Sequence, residues 1–148
     1  MKVYDVLQLK SLKLRFDMIL MSDGMRGYML NPHDRSEHER KLEADRDFSR
    51  DVAEMKALAP PELTARVQAA ERMDADILDR LEERIMDLTE HGEHEEARRQ
   101  YLDDYLPIRQ KQVDLIDSVE ALAVRLKVQA LAKVGRATRL AVWSPLMW

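Results

Sequence analysis

The stretch Leu14-Arg15-Phe16-Asp17-Met18-Ile19-Leu20-Met21-Ser22-Asp23-Gly24-Met25-Arg26-Gly27-Tyr28 decides how the chain is read. Leu14, Met18, Met21, Met25 and Tyr28 follow one another in steps of four and three, which places apolar side chains along one seam of a bundle helix. Leu9, Leu12, Phe16 and Ile19 form a second stripe beside that seam. Two stripes predict a helix that touches its own bundle and something else as well. The helix is predicted over residues 3–30, and Asn31-Pro32 ends it because proline disfavours helical geometry in the residue before it.

Working outward, the same logic yields three more helices. Ser36-Glu37-His38-Glu39 reads as a capping box, with Ser36 at the N-cap and Glu39 at the third helical position. A second helix runs on to about Leu58, with Leu42, Phe48, Val52 and Met55 inward. Ala59-Pro60-Pro61-Glu62 is a stop and restart, since proline suits a first helical turn. A third helix over residues 61–90 carries Leu63, Val67, Ala70, Ile77, Leu81, Ile85 and Leu88, and His91-Gly92 closes it. The fourth begins near Glu93, where Glu93, Glu95 and Glu96 complement the helix dipole. It carries Leu102, Tyr105, Val113, Ile116, Val119 and Leu126. Pro107 falls inside this pattern and predicts a kink rather than an end. Short connections make the expected fold all-α: an antiparallel up-down-up-down four-helix bundle with an extended last helix.

Composition agrees. Of 148 residues, 45% are apolar and 35% charged, with only four Gly and five Pro, a balance suited to long helices. The length suits one domain able to bury a core. With aromatics at 5%, nine Met help fill that core, and Met packs adaptably. The expected division is a bundle over residues 1–122, then a basic helical extension and apolar tail over 123–148. In the extension, Val124, Val128, Leu131 and Val134 continue the last helix as far as Gly135. The end, Leu140 to Trp148, holds both tryptophans, and the sequence does not choose whether it packs on the bundle, enters a partner or stays unstructured.

Several function classes lose ground at this stage. Without cysteine there is no disulfide, thiolate zinc site, c-type haem or cysteine nucleophile. No apolar run reaches the roughly 20 residues of a membrane span, and no signal peptide is read at the N-terminus, so a soluble chain is expected. Five Lys or Arg and no acid follow Glu120, so residues 1–120 hold 19 basic against 28 acidic residues, a net of −9. An acidic body disfavours nucleic acid as partner. A di-metal carboxylate bundle needs Glu-x-x-His on two helices, and none of His33, His38, His91 or His94 has Glu three residues before it. His91 and His94 could share a metal with Glu93 or His33 at one end of the bundle, but solvated turn residues are the simpler reading. Asp74, Asp76 and Asp79 lack the glycine and terminal Glu of a calcium loop and read as a solvated face. No catalytic constellation can be assembled, so the chain is read as a non-enzyme without cofactor or metal.

Three stretches carry a family resemblance. They are Met21-Ser-Asp-Gly-Met-Arg-Gly-Tyr-Met-Leu30 with Asn31-Pro32 and Lys41-Leu-Glu-Ala-Asp45; Val52-Ala-Glu-Met-Lys-Ala-Leu-Ala-Pro60; and Gly92-Glu-His-Glu-Glu-Ala-Arg-Arg-Gln-Tyr101 with Tyr105-Leu-Pro-Ile-Arg109 and Val113-Asp-Leu-Ile-Asp117. Together, over residues 5–122, they resemble the four-helix-bundle sensor domain of methyl-accepting chemotaxis proteins. Arg26-Gly27-Tyr28 also resembles an element of a sister family of helical extracytoplasmic sensors found on histidine kinases and cyclases. The resemblance implies a receptor module working as a parallel homodimer, its end helices joined to membrane spans absent from this chain. It implies a small-molecule ligand, an organic acid or amino acid, bound between helices in the membrane-distal half, and a signal carried by displacement of the last helix. Arg26, Arg98, Arg99, Tyr101 and Tyr105 are the candidate ligand-binding residues at that end, since guanidinium forks bind carboxylates with paired hydrogen bonds. Gly24 and Gly27 flank Arg26 and leave room for close backbone approach. As part of a receptor the module would be extracytoplasmic; as a complete protein it would be cytoplasmic. Two alternatives stand beside this reading: a structural or adaptor bundle that docks a partner protein through its apolar tail, and a metal-binding bundle using His91 and His94.

Overall fold

The computed structural model describes the backbone of residues 2–143 and the side chains as far as residue 141; the tail from Ser144 to Trp148 lies outside the described residues. Four helices, with no strand among the described residues, form the expected bundle. Helix α1 is Lys2–Leu30 and α2 is Arg35–Leu58. Helix α3 covers residues 61–90, as α-helical Pro61–Met73, a π-helical turn Asp74–Leu78 and α-helical Asp79–Glu90. Helix α4 covers residues 94–143, as His94–Gln100, a second π-helical turn Tyr101–Tyr105 and Leu106–Trp143. Each helix packs antiparallel against its neighbours in sequence, and α1 also packs against α4.

The turns follow their local chemistry. Asn31 donates its N–H to Gly27 O at 3.0 Å and closes α1. The N-cap of α2 is Asp34, not Ser36: the Asp34 carboxylate accepts from the Ser36 N–H at 2.9 Å and from its hydroxyl at 2.6 Å. Asp caps as well as Ser does and reaches the chain two residues earlier, so Ser36 falls inside the first turn. Beyond α3, Gly92 takes a positive φ of 77°. There Glu93 N–H donates to Leu88 O at 2.9 Å and Gly92 N–H to Thr89 O at 3.1 Å, the paired bonds of a Schellman ending.

Leu14, Met18, Met21, Met25 and Tyr28 of the α1 seam are all buried, as are Phe48, Val52 and Met55 of α2. Leu9, Leu12, Phe16 and Ile19 stay exposed as an unpartnered stripe. Leu42, Ile77 and Leu102, predicted inward, are also exposed. The last two have a common cause. A π-helical turn holds one residue more than the α-helical period allows, so it rotates the register across it by roughly a quarter turn. In α3 the inward positions from the end of the turn onward are Leu78, Glu82, Ile85 and Thr89; in α4 those up to the start of its turn are Ala97, Gln100 and Tyr101. Pro107 accounts for the turn in α4: it has no N–H to give to the preceding turn, and Leu106 N–H bonds instead to Tyr101 O, five residues back. Helix α4 continues past Gly135, where it had been expected to stop.

Close approach of α1 and α2 depends on Gly24. A Cβ placed there would lie 2.7 Å from Lys41 Cβ and 3.0 Å from Lys41 Cα. Nearer the other end, Asp17 of α1 and Asp51 of α2 are both buried, and Lys13 donates to Asp51 at 3.1 Å. Burial and the adjoining Asp51 carboxylate push the Asp17 carboxyl up to about 8, so it keeps its proton at neutral pH.

Three expectations follow. Gly24→Ala should lower stability by about 1–3 kcal/mol in urea unfolding, the cost of overpacking. Gly135→Ala, where an added Cβ meets nothing within 4 Å, should instead raise local helix stability by about 0.5–1 kcal/mol. The raised Asp17 value makes its contribution greatest below the unfolded value of 3.8 and lost as pH climbs through about 8. The melting temperature should therefore carry a falling contribution as pH rises from about 4 to about 8, and Asp17→Asn should remove it; an equal slope in both proteins across that window would contradict the assignment.

Candidate functional site

At the distal end, the end with the 31–34 and 91–93 turns, a cavity of about 370 Å³ opens between α1, α3 and α4. Arg26 and Met29 come from α1, Thr89 from α3, and His94, Arg98 and Tyr101 from α4. Arg26 and Arg98 stand at its exposed edge. Among the described residues neither guanidinium forms an ion pair, whereas Arg99 and Arg109 do. Tyr101 is buried at the cavity wall and donates its hydroxyl to Ser22 O of α1 at 3.2 Å. Burial and the charge of Asp23 raise its phenol above the ordinary value, so it stays a neutral donor.

Three of the five predicted ligand residues, Arg26, Arg98 and Tyr101, therefore meet around one cavity. The other two do not. Arg99 points along the outside of α4, where it forks onto Glu96 at 2.7 and 3.0 Å. Tyr105 is wholly buried one turn below the cavity, stacked on Tyr101 with ring centroids 5.5 Å apart.

Tyr105 belongs to a buried polar layer that sequence reasoning missed. Its hydroxyl donates to Glu82 Oε2 at 2.7 Å and accepts from Arg109 Nη2 at 2.7 Å. Glu82 also receives Lys41 Nζ at 2.6 Å and Arg109 Nη2 at 3.2 Å. Arg109 Nη1 reaches Asp74 Oδ1 at 2.8 Å and Gln112 Oε1 at 2.6 Å, and Gln112 returns a hydrogen bond to Ala70 O at 2.9 Å. Asp74 is thus an interior ion-pair partner, not part of a solvated face. Burial opposes the Lys41 charge, but Glu82 and Asp45 outweigh it and hold its pKa above the ordinary lysine value. Burial wins at Asp74, whose carboxyl is raised despite Arg109. The layer separates two apolar clusters: a large one around Leu14, Phe48, Val67 and Ile116, and a small distal one around Met25, Ile85 and Tyr105.

The sequence signal that could have exposed the layer was register. Arg109 lies four residues before Val113, and Glu82 three before Ile85, so both extend apolar seams. A charged residue on a seam is a buried charge in need of a partner.

The histidines do not assemble a metal centre. Among the described residues no three His, Asp or Glu groups stand close enough to hold an ion. His91 bonds through Nδ1 to Asp87 O at 2.7 Å, while His33 and His94 line another cavity, over the top of the bundle. No family model, curated protein or solved structure matches the chain.

Removing Glu82 takes away the carboxylate that Lys41 and Arg109 share and leaves each with one carboxylate partner, Asp45 and Asp74 respectively, so Glu82→Ala should cost about 3 kcal/mol in urea unfolding, the low end of the range for breaking a buried ion pair. Tyr105→Phe removes one hydroxyl and leaves the ions paired, and should cost about 1–3 kcal/mol. Equal losses for the two variants would show that the charge network is not what the layer's stability rests on.

Proposed function

We propose that the chain is the ligand-sensing module of a chemoreceptor-type receptor, binding a small carboxylate in the distal cavity and passing the event down α4. The observation that carries this reading is one residue's double membership: Tyr101 walls the cavity and stacks on Tyr105, which is bonded into the buried layer. Arg26 and Arg98 provide positive charge free of carboxylate partners, and Met29 and Leu102 provide apolar wall. A carboxylate with an apolar body suits such a site, because each guanidinium can donate two hydrogen bonds to it.

Transmission has an element suited to it. The π-helical turn Tyr101–Tyr105 lies between the cavity and the long segment of α4. Shifting its extra residue along the helix would rotate Tyr101 against Arg109 without unfolding anything. The exposed stripe of Leu9, Leu12, Phe16 and Ile19 supports pairing with a second copy along α1. No helix among the described residues is long and apolar enough to cross a membrane, so on this reading the membrane is reached only through parts outside this chain. In a receptor the module would sit outside the cytoplasm.

One observation favours a second reading. Val128, Leu131, Val134 and Leu140 are exposed on α4, as a partner-docking adaptor would have them.

The test is thermal unfolding against a panel of aliphatic and aromatic carboxylates. A ligand at about 100 times its dissociation constant should add about 2.7 kcal/mol of stability. Arg26→Ala and Arg98→Ala should each weaken binding about tenfold or more, while leaving unliganded stability unchanged because both side chains are exposed. Silence across the carboxylates, with a chain that stays monomeric at high concentration, would replace the sensor with the adaptor.

A further inference from the structure

The distal end holds a second cavity, of about 490 Å³, on the other side of α1, between the α1–α2 turn and the last turns of α3. Its charge is opposite to that of the first. Four carboxylates, Asp34, Glu83, Asp87 and Glu90, face it against one guanidinium, Arg35. Asp34 is engaged as the cap of α2, and Glu90 accepts the Tyr28 hydroxyl through one oxygen at 2.7 Å. Burial and Glu90 push the Tyr28 phenol up to about 12, so it remains a neutral donor there. Among the described residues Glu83 and Asp87 form no ion pair, although Lys and Arg are abundant in the chain. The tilted rings of Tyr28 and His38, 6.1 Å apart, and Met86 supply the apolar part of the wall.

The two cavities have a common neighbour. A third, over the top of the bundle, shares His33 and Glu90 with the acidic cavity and shares Thr89 and His94 with the basic one. A continuous surface therefore runs from Arg26 and Arg98, across His94 and His33, to Glu83, Asp87 and Glu90. The end of α3 adds to the polarity, because its last turn, Asp87 to Glu90, presents the negative end of a helix dipole to the acidic half. Opposite charges at one end of a small bundle that have not paired with each other describe a surface complementary to a molecule with separated charges.

From this we infer that the ligand is zwitterionic and extended, its carboxylate on Arg26 and Arg98 and its ammonium over the top of the bundle on Glu83, Asp87 and Glu90. The inference rests on the sensor reading and narrows its ligand class from carboxylates to chain-separated amino carboxylates. The ammonium is held by carboxylate oxygens and the ring faces of Tyr28 and His38; the connecting chain passes Pro32, His33 and His94 at the top of the bundle.

The experiment is calorimetric titration of the full chain with a homologous series of straight-chain ω-amino carboxylates. Each is compared with the plain carboxylate and the plain alkylammonium of the same length. One chain length should bind about tenfold more tightly than its plain carboxylate, the gain expected from one added charged contact. The double variant Glu83→Gln, Asp87→Asn should remove that gain, because both side chains are exposed and neither touches the basic cavity. If plain carboxylates bind as tightly as every amino carboxylate, the zwitterion inference falls and the carboxylate sensor stands. If alkylammonium ions alone bind as tightly as the amino carboxylates, the cavities work separately and the inference falls as well. If no member of any series binds, both readings fall together.

Discussion

The buried carboxylate of Glu82 is the constraint to which the rest of this bundle answers. A carboxylate 1% exposed would cost several kcal/mol in lost hydration if it stood alone. Glu82 is held instead by Lys41 from α2, by Arg109 and Tyr105 from α4, and through Arg109 by Asp74 on its own helix. Each partner imposes a condition. Lys41 reaches Glu82 because Gly24 lets α2 come close to α1. Arg109 and Tyr105 converge on one oxygen because Tyr105 ends the irregular turn of α4 and Arg109 lies one turn further along the same inner face. Asp74 and Glu82 face the same guanidinium from eight residues apart because a π-helical turn lies between them. The geometry that satisfies one charge thus fixes the spacing of α1 and α2 and the register of α3 and α4.

That dependence explains which parts of the fold could be read in advance. The α1 seam needed only an unbroken period, and Leu14, Met18, Met21, Met25 and Tyr28 are buried accordingly. Helix boundaries were legible where proline or glycine sets them, at Pro32, Pro61 and Gly92. Ile77 and Leu102 face outward against the periodic pattern because an inserted residue leaves no mark in composition; it changes only the phase, and an unbroken α-helical period does not hold through either π-helical turn. Pro107 was recognised as a disturbance, but the relief came in the turn before it as a widened coil. Ser36 lost its role to Asp34 because two good caps stand two residues apart and local pattern does not rank them.

The candidate site divides along the same line. Arg26 could be placed because it sits on α1, whose register is regular. Arg98 and Arg99 differ by one residue, about 100° around the helix, and the choice between them depends on the π-helical turn that follows. The shift that buries Tyr101 also brings Arg98 to the cavity edge and leaves Arg99 to Glu96 on the outer surface. Tyr105 was grouped with the ligand residues because it shares their end of the bundle, yet the shifted register turns it inward to Glu82. The acidic cavity was not legible at all, since its carboxylates come from α3 and the turn before α2, and only folding brings them together.

A buried ionic layer is weak evidence for stability, because an apolar core of the same volume is often as stable or more so. What such a layer imposes is discreteness. Apolar side chains such as the Met-rich seam of α1 slide over one another at small cost. The fork of Arg109 donates to Asp74, Glu82 and Tyr105 only when they stand at defined positions, so a small rotation of α4 breaks several bonds at once or none. A bundle built this way prefers separated states to graded bending. Tyr101 touches the cavity on one side and Tyr105 on the other, so whatever fills the cavity bears on the residue next to that layer. On the proposed reading the small distal cluster is where a ligand does its work, and the large proximal cluster is the rigid body against which α4 moves.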